Sequence, residues 1–439
     1  MRKSNMTVST LAIAVVAALA CSQAMASGFQ IREDSIQATS RAAAGAGSDW
    51  GDAAVVANNP AAMSLFDKTT VQTDLTVIDL KGTFAGGGND FLGHPLTGGN
   101  GGDAGDTAPV PAFHAILPFG NGFTLGASLT APFGLKTQYE PGWVGRYQAL
   151  KSDVKTVDFT LAGAYKFSDM FSVGVGLIYQ RFDAELTSTI DGGAILAAKG
   201  MFPVFQPQSS DFFGRIKGND SSWGWDVGLL FRPTANTNIG LNYRSKINHN
   251  INGTAYFGPS AAQGFLSAAG AFTNGTSAVT RVATPSVLNL SISQKVSDTF
   301  TISGSIERTN WNSLKNLVVA FGDATPNSVE TFDWKASTMF AIGFDWQFDP
   351  HWTLRAGYSH DQTPTNNTWR DPRLPDNNRN LYAIGLGWQP NDNVSWNIGF
   401  SHVAINTPTV NDMSATGSTL LGKYSANANL FGVSAAFHF

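Results

Sequence analysis

The chain has 439 residues, a formal net charge of −4 and only 14% charged residues, against roughly 25% in ordinary soluble domains. With no basic excess, nucleic acid is not expected as a partner, and a mean hydropathy of −0.06 excludes a bundle of membrane helices. A membrane wall that is apolar only at alternate residues gives this middling hydropathy.

The N-terminus reads as an export signal over residues 1–26. Arg2 and Lys3 precede the apolar run Leu11 to Ala20, and Ala24-Met25-Ala26 offers a small-x-small cleavage site before Ser27. The one cysteine, Cys21, lies inside it. A cysteine-free mature chain is expected, with lipidation of Cys21 as the alternative. No other segment approaches the roughly 20 apolar residues of a membrane helix.

Residues 27–68 are not strand-like. Arg32 to Gly47 is rich in Ala, Ser and Gln with weak helical spacing, and Asn58-Asn59-Pro60-Ala61 makes a turn. A compact, partly helical segment is predicted here, ahead of the strand-rich remainder of the chain and tucked inside it.

From residue 69 to 439 the chain alternates with period two. Phe171, Val173, Val175, Leu177 and Tyr179 share one face, opposite Ser172, Gly174, Gly176 and Ile178. Phe340, Ile342, Phe344, Trp346 and Phe348 likewise oppose Met339, Ala341, Gly343, Asp345 and Gln347. Fourteen runs are predicted, at 70–83, 110–119, 122–140, 154–168, 170–187, 222–233, 235–253, 283–297, 299–312, 334–348, 351–362, 379–390, 393–405 and 424–439. Tight links such as Ser168-Asp169, Ser297-Asp298 and Asp349-Pro350 alternate with long connections. The predicted fold class is therefore all-β: a 14-stranded antiparallel transmembrane barrel with tight turns on the periplasmic side. The longest external loops are placed at 188–221 and 254–282, and both carry apolar stretches able to meet a greasy ligand. Phe348, Trp352, Trp388 and Trp396 fit an interfacial aromatic girdle.

Parity places Asp158, Asp226, Arg244, Lys246, Glu307, Lys335, Asp345 and Arg355 on the lumen face. They read first as paired polar packing, and second, at Arg244 or Lys335, as a partner for a substrate carboxylate. Pro132 cannot donate a ladder bond, so the third strand either carries a bulge or breaks locally at Pro132-Phe133-Gly134. The Gly-rich stretch 86–106 reads as a flexible outer loop. The seven histidines show no ligand spacing, so neither a metal nor a cofactor is expected. No grouping of nucleophile, base and acid supports an enzyme.

Gly28-Phe29-Gln30 followed about thirty residues on by Asn59-Pro60-Ala61 resembles the hatch of the FadL (OMPP1/FadL/TodX) family, outer-membrane transporters of long-chain fatty acids and other hydrophobic compounds. Gly126-Ala127-Ser128-Leu129-Thr130 with Phe133-Gly134-Leu135, then Trp223-Gly224-Trp225, Tyr243-Arg244-Ser245, the Trp311 region, and Pro375-Asp376 with Arg379 follow in family order. The resemblance implies passive uptake of a long-chain fatty acid, or alternatively of an uncharged aromatic or aliphatic hydrocarbon. It implies a hatch that rearranges around Asn59-Pro60-Ala61 and a sideways exit at Pro132–Gly134. The family's basic residues near the acid group align here with Ser188 and Glu330. A monomer is expected, set among outer-membrane lipid and lipopolysaccharide and delivered by the barrel assembly machinery through the terminal Phe439. A general diffusion porin is the rival reading.

Overall fold

The computed structural model describes residues 28–439, so the export signal and Cys21 lie outside the described residues. One antiparallel sheet holds twenty hydrogen-bonded segments, and six of them resume a strand after a local break, leaving fourteen staves. These are β1 (Thr70–Asn89), β2 (Thr107–Pro118), β3 (Phe123–Thr130, resuming at Gly134–Gln138), β4 (Lys151–Lys166), β5 (Phe171–Ile190), β6 (Phe212–Thr234) and β7 (Thr237–Arg244, then Ile247–Phe257). They continue as β8 (Ser277–Thr284, then Val287–Ser297), β9 (Phe300–Thr309, then Asn316–Phe321), β10 (Ser328–Thr331, then Ser337–Asp349) and β11 (Trp352–Asp361). The last are β12 (Arg379–Asn391), β13 (Val394–Ile405, then Thr409–Met413) and β14 (Thr419–His438). β14 closes the barrel on β1, from Thr70↔His438 to Asn89↔Thr419. A closed sheet leaves no edge to satisfy in hydrocarbon.

All fourteen expected runs are staves of this wall. At one end the connections have two to four residues; at the other they have five to 21. The alternation has the expected cause. On β5, Val175, Leu177 and Tyr179 are exposed on the outside, while Ser172, Ile178 and Gln180 are buried within. Exposed Phe119, Phe167, Phe348, Trp388 and Trp396 gather near the tight turns.

Two loops are shorter than the sequence suggests. β6 begins ten residues before the expected 222, because its first turns stand beyond the apolar band. There Arg215, Lys217 and Asn219 take the outward positions and erase the alternation. The loop that remains, 191–211, holds α3 (Gly192–Leu196); the loop 258–276 holds α4 (Ala261–Ala268). Lys246 corrects the parity reading. β7 breaks at Ser245-Lys246, so Arg244 and Asn242 face inward before the break, but Ile247 and His249 do so after it. Lys246 is left exposed.

Residues 28–66 lie inside the wall. Ser35 caps α1 (Ile36–Ser40) by accepting from the Ala38 N–H at 3.2 Å. The short α2 (Val55–Asn58) leads into a 3-10 turn at Pro60–Leu65, capped by the Asn59 side chain. Glycines in the wall make room for this segment. A Cβ on Gly174 would stand 2.3 Å from the Ala61 nitrogen, and one on Gly228 would stand 2.0 Å from Asn59 Oδ1. The segment also neutralises the wall. Arg32 pairs with Glu307 at 2.7 Å and Asp361 at 3.0 Å, and Arg41 pairs with Asp345 at 2.8 Å.

Candidate functional site

The site is built where the segment's first residues meet β3. The strand stops pairing at Thr130, and its backbone bonds are redirected inward. Pro132 C=O accepts from the Ile31 N–H at 2.8 Å, and the Gly134 N–H donates to Phe29 C=O at 2.7 Å. On the other side Thr156 N–H reaches Phe133 C=O at 2.9 Å, so β3 stays tied to β4. Towards β2 it does not: their ladder runs only from Phe113↔Leu129 to Pro118↔Thr124. Residues 107–112 of β2 therefore pair with β1 alone, and a gap opens in the wall. At its outer end Lys136 of β3 forms an ion pair with Asp106.

Phe29 sits at the centre of an aromatic cluster. Its ring lies 4.8 Å from Trp311 and 6.0 Å from both Phe133 and Trp334. Above it is an apolar cavity of ≈ 110 Å³, walled by Leu135, Phe182, Ile251, Val282 and Trp334 among others. A single charged side chain, Arg373, reaches this lining. Arg373 comes from the loop 362–378 and pairs with Asp371 at 3.1 Å and Glu330 at 3.6 Å. Its Nε has no protein partner, and neither does the fully buried Nε1 of Trp311 beside Phe29. Both orphans are buried donors, and of the two residues only Arg373 belongs to the lining of the cavity, which is otherwise apolar.

Beyond Phe133 lies a second cavity of ≈ 90 Å³, bounded by Val110 and Ala112 of β2, the 130–133 break, Asp34, Asn242 and Arg244. Arg244 binds the buried Asp158 at 2.5 Å and stands over the Phe133 ring at 5.9 Å. Asn242 is buried with its Oδ1 unpartnered. Burial, and then the negative charge of Asp52, push the Asp34 carboxyl up to about 8.

The expected site residues divide accordingly. Pro132, Phe133 and Gly134 form the break between the cavities, and Arg244 faces the second one. Asn59, Pro60 and Ala61 lie elsewhere, on β5 and β6. Asn59 Nδ2 donates to Gly47 C=O at 2.8 Å and to Leu229 C=O at 3.1 Å, and Oδ1 accepts from Ala61 at 3.2 Å. The link to the break is Asn58, which donates to Asp34 at 3.1 Å. Lys335 falls in the interruption of β10, where Trp334 is buried and Lys335 itself is exposed; it lines neither cavity. Glu330 does not stand alone at its expected place, because Arg373 compensates it. Sequence reading missed Arg373, since nothing local distinguishes a loop arginine that folds back over the lumen. Towards the tight turns, a wider polar vestibule of ≈ 360 Å³ is lined by Trp50, Lys295, Asp345 and Arg355.

A closed fourteen-stave wall with an occupied lumen and an apolar internal cavity defines an outer-membrane transport barrel. The comparisons with known proteins carry this further. Residues 17–439 match the family model "Outer membrane protein transport protein (OMPP1/FadL/TodX)", and the chain belongs to that family. The long-chain fatty acid transport protein of Shigella flexneri is 27% identical, over 94% of this chain and 95% of its own. Outer membrane protein P1 of Haemophilus influenzae is 26% identical over 100% of both chains. Among solved structures, a Pseudomonas aeruginosa FadL homologue has a TM-score of 0.89 at 26% identity, covering 94% of this chain and 100% of that one. The toluene transporter TodX of Pseudomonas putida shares the fold, with a TM-score of 0.68 at 16% identity over 94% and 99% of the two chains. The chain is thus an outer-membrane transport protein, and its family's members are channels rather than enzymes.

Proposed function

We propose that this barrel takes up long-chain fatty acids passively, through the apolar cavity and out sideways between β2 and β3. The observation that carries the reading is the pairing of that cavity with one loop cation whose Nε is unpartnered. An acyl chain gains roughly 0.8 kcal/mol per CH₂ on leaving water, and a carboxylate needs a charged donor where it is desolvated. Likeness to the fatty acid transport protein of Shigella flexneri supports the same substrate class. Uncharged hydrocarbons are the second reading, favoured by Glu330 and Asp371, which already engage Arg373.

The direction of exit follows from polarity. The way towards the tight turns crosses the Arg41–Asp345–Arg355 ion pairs and the polar vestibule, where each CH₂ would lose its gain. Sideways, the path meets Phe133, Val110 and Ala112 and ends in hydrocarbon. In this reading residues 27–68 act as the hatch: Asn59-Pro60-Ala61 anchors it to the wall, and its shift at Phe29–Ile31 frees the break. Arg244 receives the head group on the inner side of the gap. The barrel works as a monomer among outer-membrane lipid and lipopolysaccharide, and Phe439 marks it for the assembly machinery.

Reconstitution in liposomes tests this. Oleate should partition into the bilayer faster than in protein-free vesicles, with ion conductance near background. Porin-scale conductance, or delivery to the aqueous interior while the bilayer gains nothing, would refute it.

A further inference from the structure

An unpaired strand edge inside a membrane carries a cost that this wall lowers in an uncommon way. In hydrocarbon each unsatisfied backbone N–H or C=O costs several kcal/mol, so a gap between two staves costs less where an edge lacks free donors. Backbone groups along β2 point alternately to its two neighbours. Leu80 N–H donates to Asp106 C=O at 3.1 Å, one step beyond the Asp79↔Thr107 pair, so even-numbered residues of β2 bond to β1. Phe119 N–H donates to Phe123 C=O at 3.0 Å, one step beyond Pro118↔Thr124, so odd-numbered residues face β3. The residues whose backbone faces the gap are therefore Thr107, Pro109 and Pro111, below which Phe113 pairs with Leu129.

Two of these three have no N–H at all. The third, Thr107, donates to the carboxylate of the preceding Asp106 at 2.8 Å, and Asp106 is also held by Lys136 from across the gap. The β2 edge thus presents no free donor along its unpaired length. Opposite it Pro132 has no N–H, Phe133 N–H is held by Thr156 Oγ1 at 3.1 Å, and Gly134 N–H by Phe29. We propose that Pro109 and Pro111, with the Asp106 cap on Thr107, form a donor-free rim that keeps the wall open between β2 and β3. The break in β3 alone would not do so. A β2 edge with free N–H groups would recover its bonds by drawing β3 back into register, Pro111 opposite Ala131 and Pro109 opposite Phe133.

The proposal rests on the sideways-exit reading only for its effect on transport; the state of the rim is measured separately. Replacing Pro109→Thr and Pro111→Thr restores two donors on outward positions suited to a strand. Hydrogen exchange on the refolded full barrel should show the new amides protected, and delivery of oleate to the bilayer should slow by at least about tenfold, which corresponds to ~1.4 kcal/mol of barrier. If the double variant does not fold, Pro111→Thr alone, beside the paired Phe113, reads the same protection. Val110→Cys with Pro132→Cys, oxidised, clasps the gap in parallel. Protected amides with slowed delivery, and delivery blocked by the clasp, support the proposal. A working clasp with proline variants that deliver like the parent overturns it and leaves the exit standing. Should the clasp not block delivery, the exit reading fails, and rapidly exchanging amides at 109 and 111 would then overturn the rim on its own.

Discussion

Replacing Arg373 with Met separates the two substrate readings. Met keeps an apolar stem in the cavity wall and removes the guanidinium, whose Nε is the unpartnered donor. Since Arg373 also holds Glu330 at 3.6 Å and Asp371 at 3.1 Å, the change is made together with Glu330→Gln and Asp371→Asn, so that no bare carboxylate is left at the rim. A hydrogen bond to a charged group is worth about 1.5–3 kcal/mol, and each ~1.4 kcal/mol is tenfold in affinity. Oleate should therefore bind the triple variant roughly 10- to 150-fold more weakly. Oleyl alcohol, with the same chain and no charge, should lose little, and dodecane nothing. Tryptophan quenching gives the readout, because Trp334 lines the cavity. Equal losses for oleate and oleyl alcohol, or no loss for either, would sink the assignment of Arg373 to a carboxylate.

Asn59→Ala with Pro60→Ala removes the three Asn59 bonds to Gly47, Leu229 and Ala61, at about 1 kcal/mol each. Uptake should fall while the barrel keeps its heat-modifiable mobility; unchanged oleate uptake would exclude the anchor role. Pro132→Val with Gly134→Val should straighten β3 and block release, and parental transport by that variant would contradict the exit. For pH, Asp34 favours its neutral form in the fold, with its carboxyl at about 8. Its stabilisation of the luminal segment is thus complete below the usual carboxylate range and fades as pH rises through 8. Protection within residues 28–66, taken relative to the intrinsic base-catalysed exchange rate at each pH, should be greater at pH 6 than at pH 9, and Asp34→Asn should flatten that difference. A variant that keeps the full difference shows another group to be responsible.

Much of the wall was legible because strand periodicity is local: Val175, Leu177 and Tyr179 reveal their face by spacing alone. The same reasoning failed at Lys246, where the break in β7 resets the phase and no local signal marks it. It also failed over 212–221, where the strand rises clear of lipid and the outward face no longer needs to be apolar. At the site, Pro132 and Gly134 announced a defect in β3, but not where the released bonds go. Pro109 and Pro111 were not singled out, because their meaning depends on which neighbour the odd residues face.

The amino-acid order by itself determined the class, the number of staves and, within each unbroken run in lipid, the face turned outward, since every one of these follows from contacts between near neighbours and a solvent that is apolar on one side. What needed the folded molecule were the partnerships across hundreds of residues. Arg32 meets Glu307, Phe29 meets Trp311, and Arg373 folds over a cavity walled by β3 to β10. Such pairs are selected by burial in a shared interior, where each lost bond to water must be replaced by whatever group the closed barrel brings within reach.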